Sequence, residues 1–500
     1  MKRIILLSAS LLSAFTLLLS FSPKKNALPV IARRTANVID CAPVSTAVAT
    51  PISDEAFKRI YGADLVRVRK NVYNLTTAEL NALKVGIIKM KALPYTDPTS
   101  WAYQAAIHGT TMNDNLPSWN TCHKNGETDF FFAWHRMYLY FFERILRAKS
   151  GRATLTLPYW DCQTNPVIPP AYRENSPVNP LYDGTRTSTM NNGGSLPTSV
   201  NTGYNNSLNI TTYYSFQSDL NGGPHGAVHN TISGNMAFVT TAAQDPVFWL
   251  HHANVDRLWE KWLSMCNGRA NPTDATWRNK SFTFFDENGT AITMSGNQIV
   301  EVANQLRYRY QDIPSLPACA APRPVAPPVR EELLTKTAAV DIDGRTKQTT
   351  FAEASNTKVE EFIRTKNRNT FNFNNTDRQE RLVVTFEGIN IRQMPQGAVE
   401  VYLNLPEGVT PTSQSNHFAG LMDLFSAEHH AKHTKAGELP GGTIDLDITR
   451  AAKALGLTIS QLQQAKLSFY VRGASLKGVE SVTSAKISIG HIKFSIDSYH

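Results

Sequence analysis

Thirteen histidines occur in this 500-residue chain, and seven of them fall in two groups: His108, His123 and His135, then His225, His229, His251 and His252. The next histidine is His417. A lone histidine in an apolar helix is more often a satisfied core residue than a ligand. Seven neutral imidazoles, however, would need seven separate buried partners. His225 and His229 are four apart, so they project from one helix face a turn from each other. His135 lies in a Phe-rich helical run, and His252 lies in a second helical run. His108 ends a helical run from Trp101 to Ile107, and His123 lies in an irregular segment. The expectation is four helices that present imidazole inward, as metal sites in helical bundles do. Imidazole without thiolate or carboxylate suits copper, zinc, iron or nickel. Two mononuclear zinc sites of three ligands each are one alternative. A facial-triad iron site would want a carboxylate, and none is placed to serve. Three plus three histidines point to a pair of copper ions.

The elements that must carry these groups are legible. Phe130 to Leu146 is apolar almost all round, the pattern of a buried helix. Val247 to Leu263 is a second such stretch, with Pro246 suited to its first turn. Residues 163–224 are dense in Asn, Gly, Pro, Ser and Thr, which predicts long loops. Five prolines between Leu316 and Val329 mark a semi-rigid linker. Beyond it the period changes to short alternating runs, such as Arg381–Phe386, Ala398–Leu403, Lys466–Val471 and Ala485–Phe494, interrupted by one short helix near Ile448 to Leu455. The expected fold is a mainly α catalytic domain, a four-helix bundle with long loops, over residues 45–315. A linker over 316–335 and a C-terminal β-sandwich over 336–500 follow.

Bulk properties narrow the function. A chain of this length with 42% hydrophobic residues forms more than one ordinary core. The net charge is +9, but Lys and Arg are scattered, which argues against nucleic acid as a partner. Lys2 and Arg3 precede an apolar run from Ile4 to Phe21, read as an export signal over about residues 1–28. No second apolar stretch is long enough to cross a bilayer, so the expectation is an exported protein with no membrane contact after signal removal. The five cysteines, Cys41, Cys122, Cys162, Cys266 and Cys319, fit no zinc motif, and their odd number leaves at least one without an internal partner.

Phe132-Ala-Trp-His-Arg-Met-Tyr-Leu-Tyr-Phe-Phe-Glu143 and Asp245-Pro-Val-Phe-Trp-Leu-His-His-Ala-Asn-Val-Asp256-Arg-Leu-Trp259 resemble the two copper-site signatures of tyrosinases and polyphenol oxidases. His225-Gly-Ala-Val-His229, Leu157-Pro-Tyr-Trp-Asp161 and Tyr308-Arg-Tyr310 look like further landmarks of that family, so the likeness spans residues 100–312. Gly397–Asn404 and His417–Met422 look like the C-terminal domain of plant-type polyphenol oxidases, which covers the copper site of a latent proenzyme.

The resemblance implies a type-3 copper oxidase that converts catechols to o-quinones with O₂. Its dinuclear centre would use His108, His123 and His135 for one copper and His225, His229 and His252 for the other. His251, Phe248, Val239, Phe238, Gly226 and Asn230 would lie around the ligands or the phenol pocket. Met422, Leu424 and Phe425 are the candidates for a residue plugging the site from the C-terminal domain. Asp256 and Arg257 would be structural. Monophenol hydroxylation is expected to be weak or absent. In the family a Glu–Asn pair holds the deprotonating water, whereas here Gly226 stands at the Asn position and Gln217 or Asn221 at that of the Glu. Met112 replaces a cross-linking cysteine, and Cys122 is badly placed to reach the ring of His123, so no thioether is expected. His429, His430 and His433 are read as a solvated loop rather than a copper-delivery site. A dioxygen carrier of hemocyanin type and an o-aminophenol oxidase are the alternative readings.

Overall fold

Two short capping devices and one long apolar run organise the helical part. In a computed structural model, which describes residues 52–62, 64–109, 128–317, 319, 328–374, 379–431 and 441–499, the first long helix is α1 (Thr77–Ala92). Thr76 and Glu79 close a reciprocal capping box at its start. Helix α2 (Trp101–His108) begins where Ser100 accepts from the Tyr103 N–H. Helix α3 (Phe131–Ser150) is buried over nearly its whole length and stops at Gly151, whose φ of 73° only glycine adopts freely. Helix α4 (Tyr213–Leu220) runs on through a π-turn over Asn221–His225 into α5 (Gly226–Ile232). Pro224 lacks the N–H that a regular ladder needs there, which accounts for the wide turn. Helix α6 (Pro246–Ser264) starts at a proline, as expected. Asp245 caps it by accepting from the Val247 N–H at 2.8 Å while binding Arg186 through both oxygens. Helices α1 and α6 pack against α3.

A buried charge hub locks this bundle. Arg69 lies in a short strand, Arg67–Arg69, paired in parallel with Tyr308–Tyr310. Asp256 on α6 accepts from Arg136 Nε of α3 at 2.5 Å, from Arg69 at 3.2 Å, and from the Tyr308 and Tyr310 hydroxyls at 2.5 Å each. Arg69 also reaches Glu143, and Arg136 reaches Glu260. Burial alone would raise the Asp256 carboxyl, but Arg136, Arg69 and the two hydroxyls hold it below the usual carboxylate range. Arg257 pairs with Asp312 at 2.6 Å.

The C-terminal part is two antiparallel sheets, the expected β-sandwich. Its strands are β1 (Val329–Lys336), β2 (Val340–Gly344), β3 (Thr346–Thr350), β4 (Glu380–Gln393), β5 (Gly397–Leu403), β6 (Phe418–Met422), β7 (Gly442–Asp447), β8 (Lys466–Gly473), β9 (Ala485–Ile489) and β10 (His491–Ser498). One sheet runs β6-β5-β8-β3, and the other β1-β10-β4-β9-β2 with β7 also on β4. Strand β1 begins inside the stretch expected to be linker, because residues 329–335 contain no proline and Leu333 and Leu334 enter the core. Three helices rather than one accompany the sheets: Thr357–Lys366, Leu424–Ala431 (α7) and Thr449–Ala454.

Strand β5 explains how the two parts join. Val399, Val401 and Leu403 enter the sandwich core, while Ala398 and Tyr402 on the other face enter the helical core together with Phe418, Leu421 and Phe425. Both faces are therefore buried. Glu400, also on the helical face, is satisfied by the Tyr402 hydroxyl and Arg472, each at 2.6 Å. Ser195 and Ser475 exchange two backbone hydrogen bonds across the same seam, at 2.7 and 3.0 Å. Cys266 and Cys319 form a disulfide, and Cys162 is a buried free thiol. Residues 1–51, with the expected export signal and Cys41, and residues 110–127, with Met112, Cys122 and His123, lie outside the described residues. So do His433 and the side chains of His429 and His430. Among the described residues no helix is long and apolar enough to cross a membrane.

Candidate metal centre

Six of the seven clustered histidines are described, and all six are buried at one place in the bundle. His108 ends α2, His135 sits one turn into α3, His225 closes the π-turn, His229 lies in α5, and His251 and His252 lie in α6. Their nitrogens form two groups whose candidate donor atoms lie within 4.8 Å of one another: His108, His135 and His252, and His225, His229, His251 and His252. His252 thus belongs to both. The adjacent His251, expected beside the pocket, sits within the second group and stacks on His225 at 5.3 Å.

The backbone fixes which nitrogen faces inward. His108 Nδ1 donates to the Val239 carbonyl at 2.8 Å, His135 Nδ1 to Phe131 at 2.9 Å, and His229 Nδ1 to Met236 at 2.8 Å. A carbonyl only accepts, so each Nδ1 carries the proton and each Nε2 the lone pair. His252 Nε2 stands 3.4 Å from His225 Nε2 and 3.3 Å from His229 Nε2. Three imidazole nitrogens around one metal at about 2.0–2.1 Å with tetrahedral angles stand about 3.3 Å apart. The residues therefore fit a metal ion in both donor type and spacing.

Electrostatics agree. Burial pushes the His108 imidazole down to about 4 and that of His251 to about 3. Burial, reinforced by the neighbouring imidazoles, holds His135, His225, His229 and His252 well below the ordinary histidine range. All six are neutral at physiological pH, the form that binds metal.

Aromatic rings wall the centre. Phe248 lies 4.2 Å from His252 and 4.7 Å from His108. Phe131, which the sequence reading passed over, lies between His135 and His225 at 4.5 and 4.8 Å. Its place four residues before His135, where its carbonyl takes the Nδ1 proton, was the available signal. Val239 is buried and contributes its carbonyl to His108, while Phe238 is 39% exposed. The two neighbours face opposite ways. Asn230 is buried in α5. Gln217 is committed elsewhere, its amide oxygen accepting from Phe132 N–H at 3.1 Å and the Tyr213 hydroxyl at 3.2 Å. The Asn221 side-chain oxygen has no hydrogen-bond partner among the described residues, and its backbone carbonyl faces His225 Nδ1 at 3.4 Å.

The three plug candidates separate cleanly. Met422 and Leu424 belong to the sandwich core, whereas the Phe425 ring stacks on His229 at 3.8 Å with a 13° interplanar angle and lies 6.3 Å from His108. Asp423, not singled out from the sequence, is 1% exposed beside them, and burial pushes its carboxyl up to about 6.

Fold and site together define a helical-bundle protein with a paired, all-imidazole site suited to metal, joined to a β-sandwich. Comparison with known proteins gives the family. Residues 98–213 and 197–265 match the common central domain of tyrosinase, residues 271–323 the polyphenol oxidase middle domain, and residues 331–493 a domain of unknown function, DUF7868. The chain is 33% identical over 304 residues to tyrosinase HcTyr1 of Hahella sp. (strain CCB-MM4), covering 49% of this chain and 63% of that protein. It is 29% identical to the latent chloroplastic polyphenol oxidase of Prunus armeniaca, over 70% of this chain and 64% of that one. It thus spans slightly less than two thirds of the length of these two relatives. A latent aurone synthase (polyphenol oxidase) shares the fold with a TM-score of 0.57 at 21% identity, over 87% of this chain and 90% of that one. Latent apple tyrosinase has a TM-score of 0.56, also at 21% identity, over 87% and 98%. The chain belongs to the tyrosinase and polyphenol oxidase family.

Proposed function

We propose that this chain is a type-3 copper oxidase that converts o-diphenols to o-quinones, two diphenols being oxidised for each O₂ reduced to two waters. The observation that carries the reading is the convergence of buried, neutral imidazoles whose outer nitrogens are pinned by backbone carbonyls. His108, His123 and His135 would hold one copper, and His225, His229 and His252 the other, with His251 next to them. A copper pair, when bound, supplies the two one-electron carriers that O₂ reduction needs. The protein's own part is positional. Val239, Phe131 and Met236 fix the tautomers, and Phe248 and Phe131 wall the centre against water. Diphenol oxidation is favoured over phenol hydroxylation because, among the described residues of the helical part, no carboxylate joins the second histidine group; Gln217 is occupied, and Asn221 is a neutral amide and a poor base.

The C-terminal sandwich acts as a cover, with Phe425 in the place an aromatic substrate would take over His229. A solved structure named latent aurone synthase shares the fold over 87% of this chain, which supports the reading. Export into an oxidising compartment fits both the N-terminal signal pattern and the Cys266–Cys319 disulfide.

The test is copper content with oxygen uptake. The purified chain should hold two coppers, and His123→Ala and His229→Ala should each lower that number. Catechol should draw oxygen at half the rate at which quinone forms, with more activity after proteolysis in the Pro-rich stretch, while tyrosine gives little. Copper-free protein after loading, or copper without catechol oxidation in the proteolysed chain, would sink the reading.

A further inference from the structure

Gly226 is the residue between the histidine pair of α5 and the C-terminal cover. A Cβ placed on it would lie 1.7 Å from Asp423 Oδ1, 2.3 Å from Asp423 Cγ and 3.0 Å from Asp423 Cβ. The carboxylate fills the volume that any side chain at 226 would need. It is not free to swing aside. Oδ1 accepts from the Phe425 N–H at 2.9 Å and the Ser426 N–H at 3.3 Å, so Asp423 is the N-cap of α7. Turning the carboxylate away gives up both bonds at the start of the helix that carries Phe425.

Among the described residues Asp423 has no ion-pair partner, and its Oδ2 has no hydrogen-bond partner. No opposite charge therefore anchors this buried group. What holds it is the cap, the Ser426 hydroxyl and the fit against a backbone stripped of its side chain. Helix α7 packs on α5 at this place, and the Phe425 ring two residues on reaches His229. The sequence of contacts is short: socket at 226, peg at 423, ring at 425, imidazole at 229.

We propose that Gly226 and Asp423 form a keyed socket that seats the cover over the centre, so that the size of residue 226 sets the balance between closed and open protein. This deepens the reading of a covered oxidase and rests on it only for what is covered. Any side chain at 226 must drive Asp423 back by roughly 1.5–2 Å to reach ordinary contact. Phe425 lifts with it, because peg and ring share one helix turn. A glycine here follows from the cover, not from the chemistry of the neighbouring imidazoles.

The experiment is hydrogen–deuterium exchange on the full chain, read at the amides of residues 424–427, with the amides of β4 and β10 reporting global folding. Gly226→Ala should speed exchange at 424–427 about tenfold, the factor that loss of a helix cap of ordinary strength gives, with β4 and β10 unchanged. Asp423→Gly removes the peg, and glycine is tolerated at an N-cap. The double variant Gly226→Ala/Asp423→Gly should therefore return to within about twofold of Asp423→Gly alone. Asp423→Glu lengthens the peg in an untouched socket and should also open the helix, which keeps the test alive if Gly226→Ala fails to fold. Wild-type protection at 424–427 in Asp423→Glu, or in a folded Gly226→Ala, would overturn the socket, as would a double variant no better protected than Gly226→Ala. Exchange needs neither copper nor turnover. A chain that binds no copper yet shows this pattern loses the oxidase reading and keeps the socket, and an active oxidase without the pattern does the reverse.

Discussion

Replacing Asp256 by Asn should damage the molecule far more than its near-identical shape suggests. Four donors converge on this carboxylate, one on Oδ1 (Arg136 Nε) and three on Oδ2 (Arg69 and the hydroxyls of Tyr308 and Tyr310). An Asn side chain must aim its NH₂ either at Arg136 or at the other three, and a donor then faces a donor either way. Two fully buried guanidinium groups also lose a share of their countercharge. Removing one partner of a buried pair costs about 3–5 kcal/mol. Arg136→Met in the same hub should cost a similar amount, and the double variant Arg136→Met/Asp256→Asn should fall short of the sum by about 1–3 kcal/mol. Guanidinium unfolding followed by tryptophan fluorescence suits the assay, since Arg136 lies 3.6 Å over the Trp259 ring. Copper content should fall together with stability, because the hub fixes the helices of His135 and His252 relative to each other. A loss below about 1 kcal/mol for Asp256→Asn, or full additivity in the double variant, would refute the picture of one coupled hub.

Three further outcomes are expected. Phe425→Ala empties a benzene-sized space over His229. If a third of the roughly 3–5 kcal/mol of a buried Phe→Ala change falls on docking of the cover, catechol oxidation by the uncleaved chain rises about tenfold; an unchanged rate counts against the plug. Asp219 is raised from 3.8 to about 7, first by burial, then by Asp447, with Ser207, Arg381 and Arg450 opposing. The folded chain therefore binds more protons than the unfolded one between about pH 4 and 7, and stability falls as pH rises through that window, by about 4 kcal/mol in all. Asp219→Asn should flatten that slope in thermal melts taken across the same range. Ser195 and Ser475 form a hydrogen-bonded antiparallel pair, whose Cα atoms stand about 5.5 Å apart, within disulfide range. Oxidised Ser195→Cys/Ser475→Cys protein should keep its cover and its low activity after linker proteolysis, read on a non-reducing gel beside oxygen uptake.

Much of the site was readable from residue type and spacing. The helix over Phe131–Ser150 follows from an apolar run too continuous for a surface, and Pro246 marked the start of the helix that carries His251 and His252. The π-turn before Gly226 was not visible, since His225 and His229 have the spacing of a plain helix and only Pro224 hinted otherwise. That Phe238 is partly exposed and Val239 buried was not visible, because a chain that alternates sides shows one of two neighbours to solvent and the pattern does not say which. Met422, Leu424 and Phe425 are equally apolar on paper, and only the packing of strand β6 and the Asp423 cap turns the third toward the imidazoles. Asp before Leu-Phe-Ser-Ala-Glu is a recognisable helix start, but its fit against Gly226 joins residues 197 positions apart and depends wholly on how two layers meet. Glu400 likewise looked like the polar face of an ordinary strand, though a second layer buries it.

The disulfide between Cys266 and Cys319 has a consequence for how such a chain can be divided. Cys319 lies near the start of the Pro-rich stretch, ahead of Pro322, so any cut downstream of it leaves the severed end of the helical body fastened to the loop after α6. The crosslink closes 53 residues of sequence, among them Tyr308 and Tyr310, which steady Asp256. A protease can then remove the sandwich without unravelling the strand that clamps the bundle. In a reducing compartment the same cut would leave that strand close to a free terminus, held by its pairing with Arg67–Arg69 and by the Asp256 and Arg257 contacts alone. If the cover is removed by cleavage, as proposed, the crosslink ties that step to an oxidising surrounding.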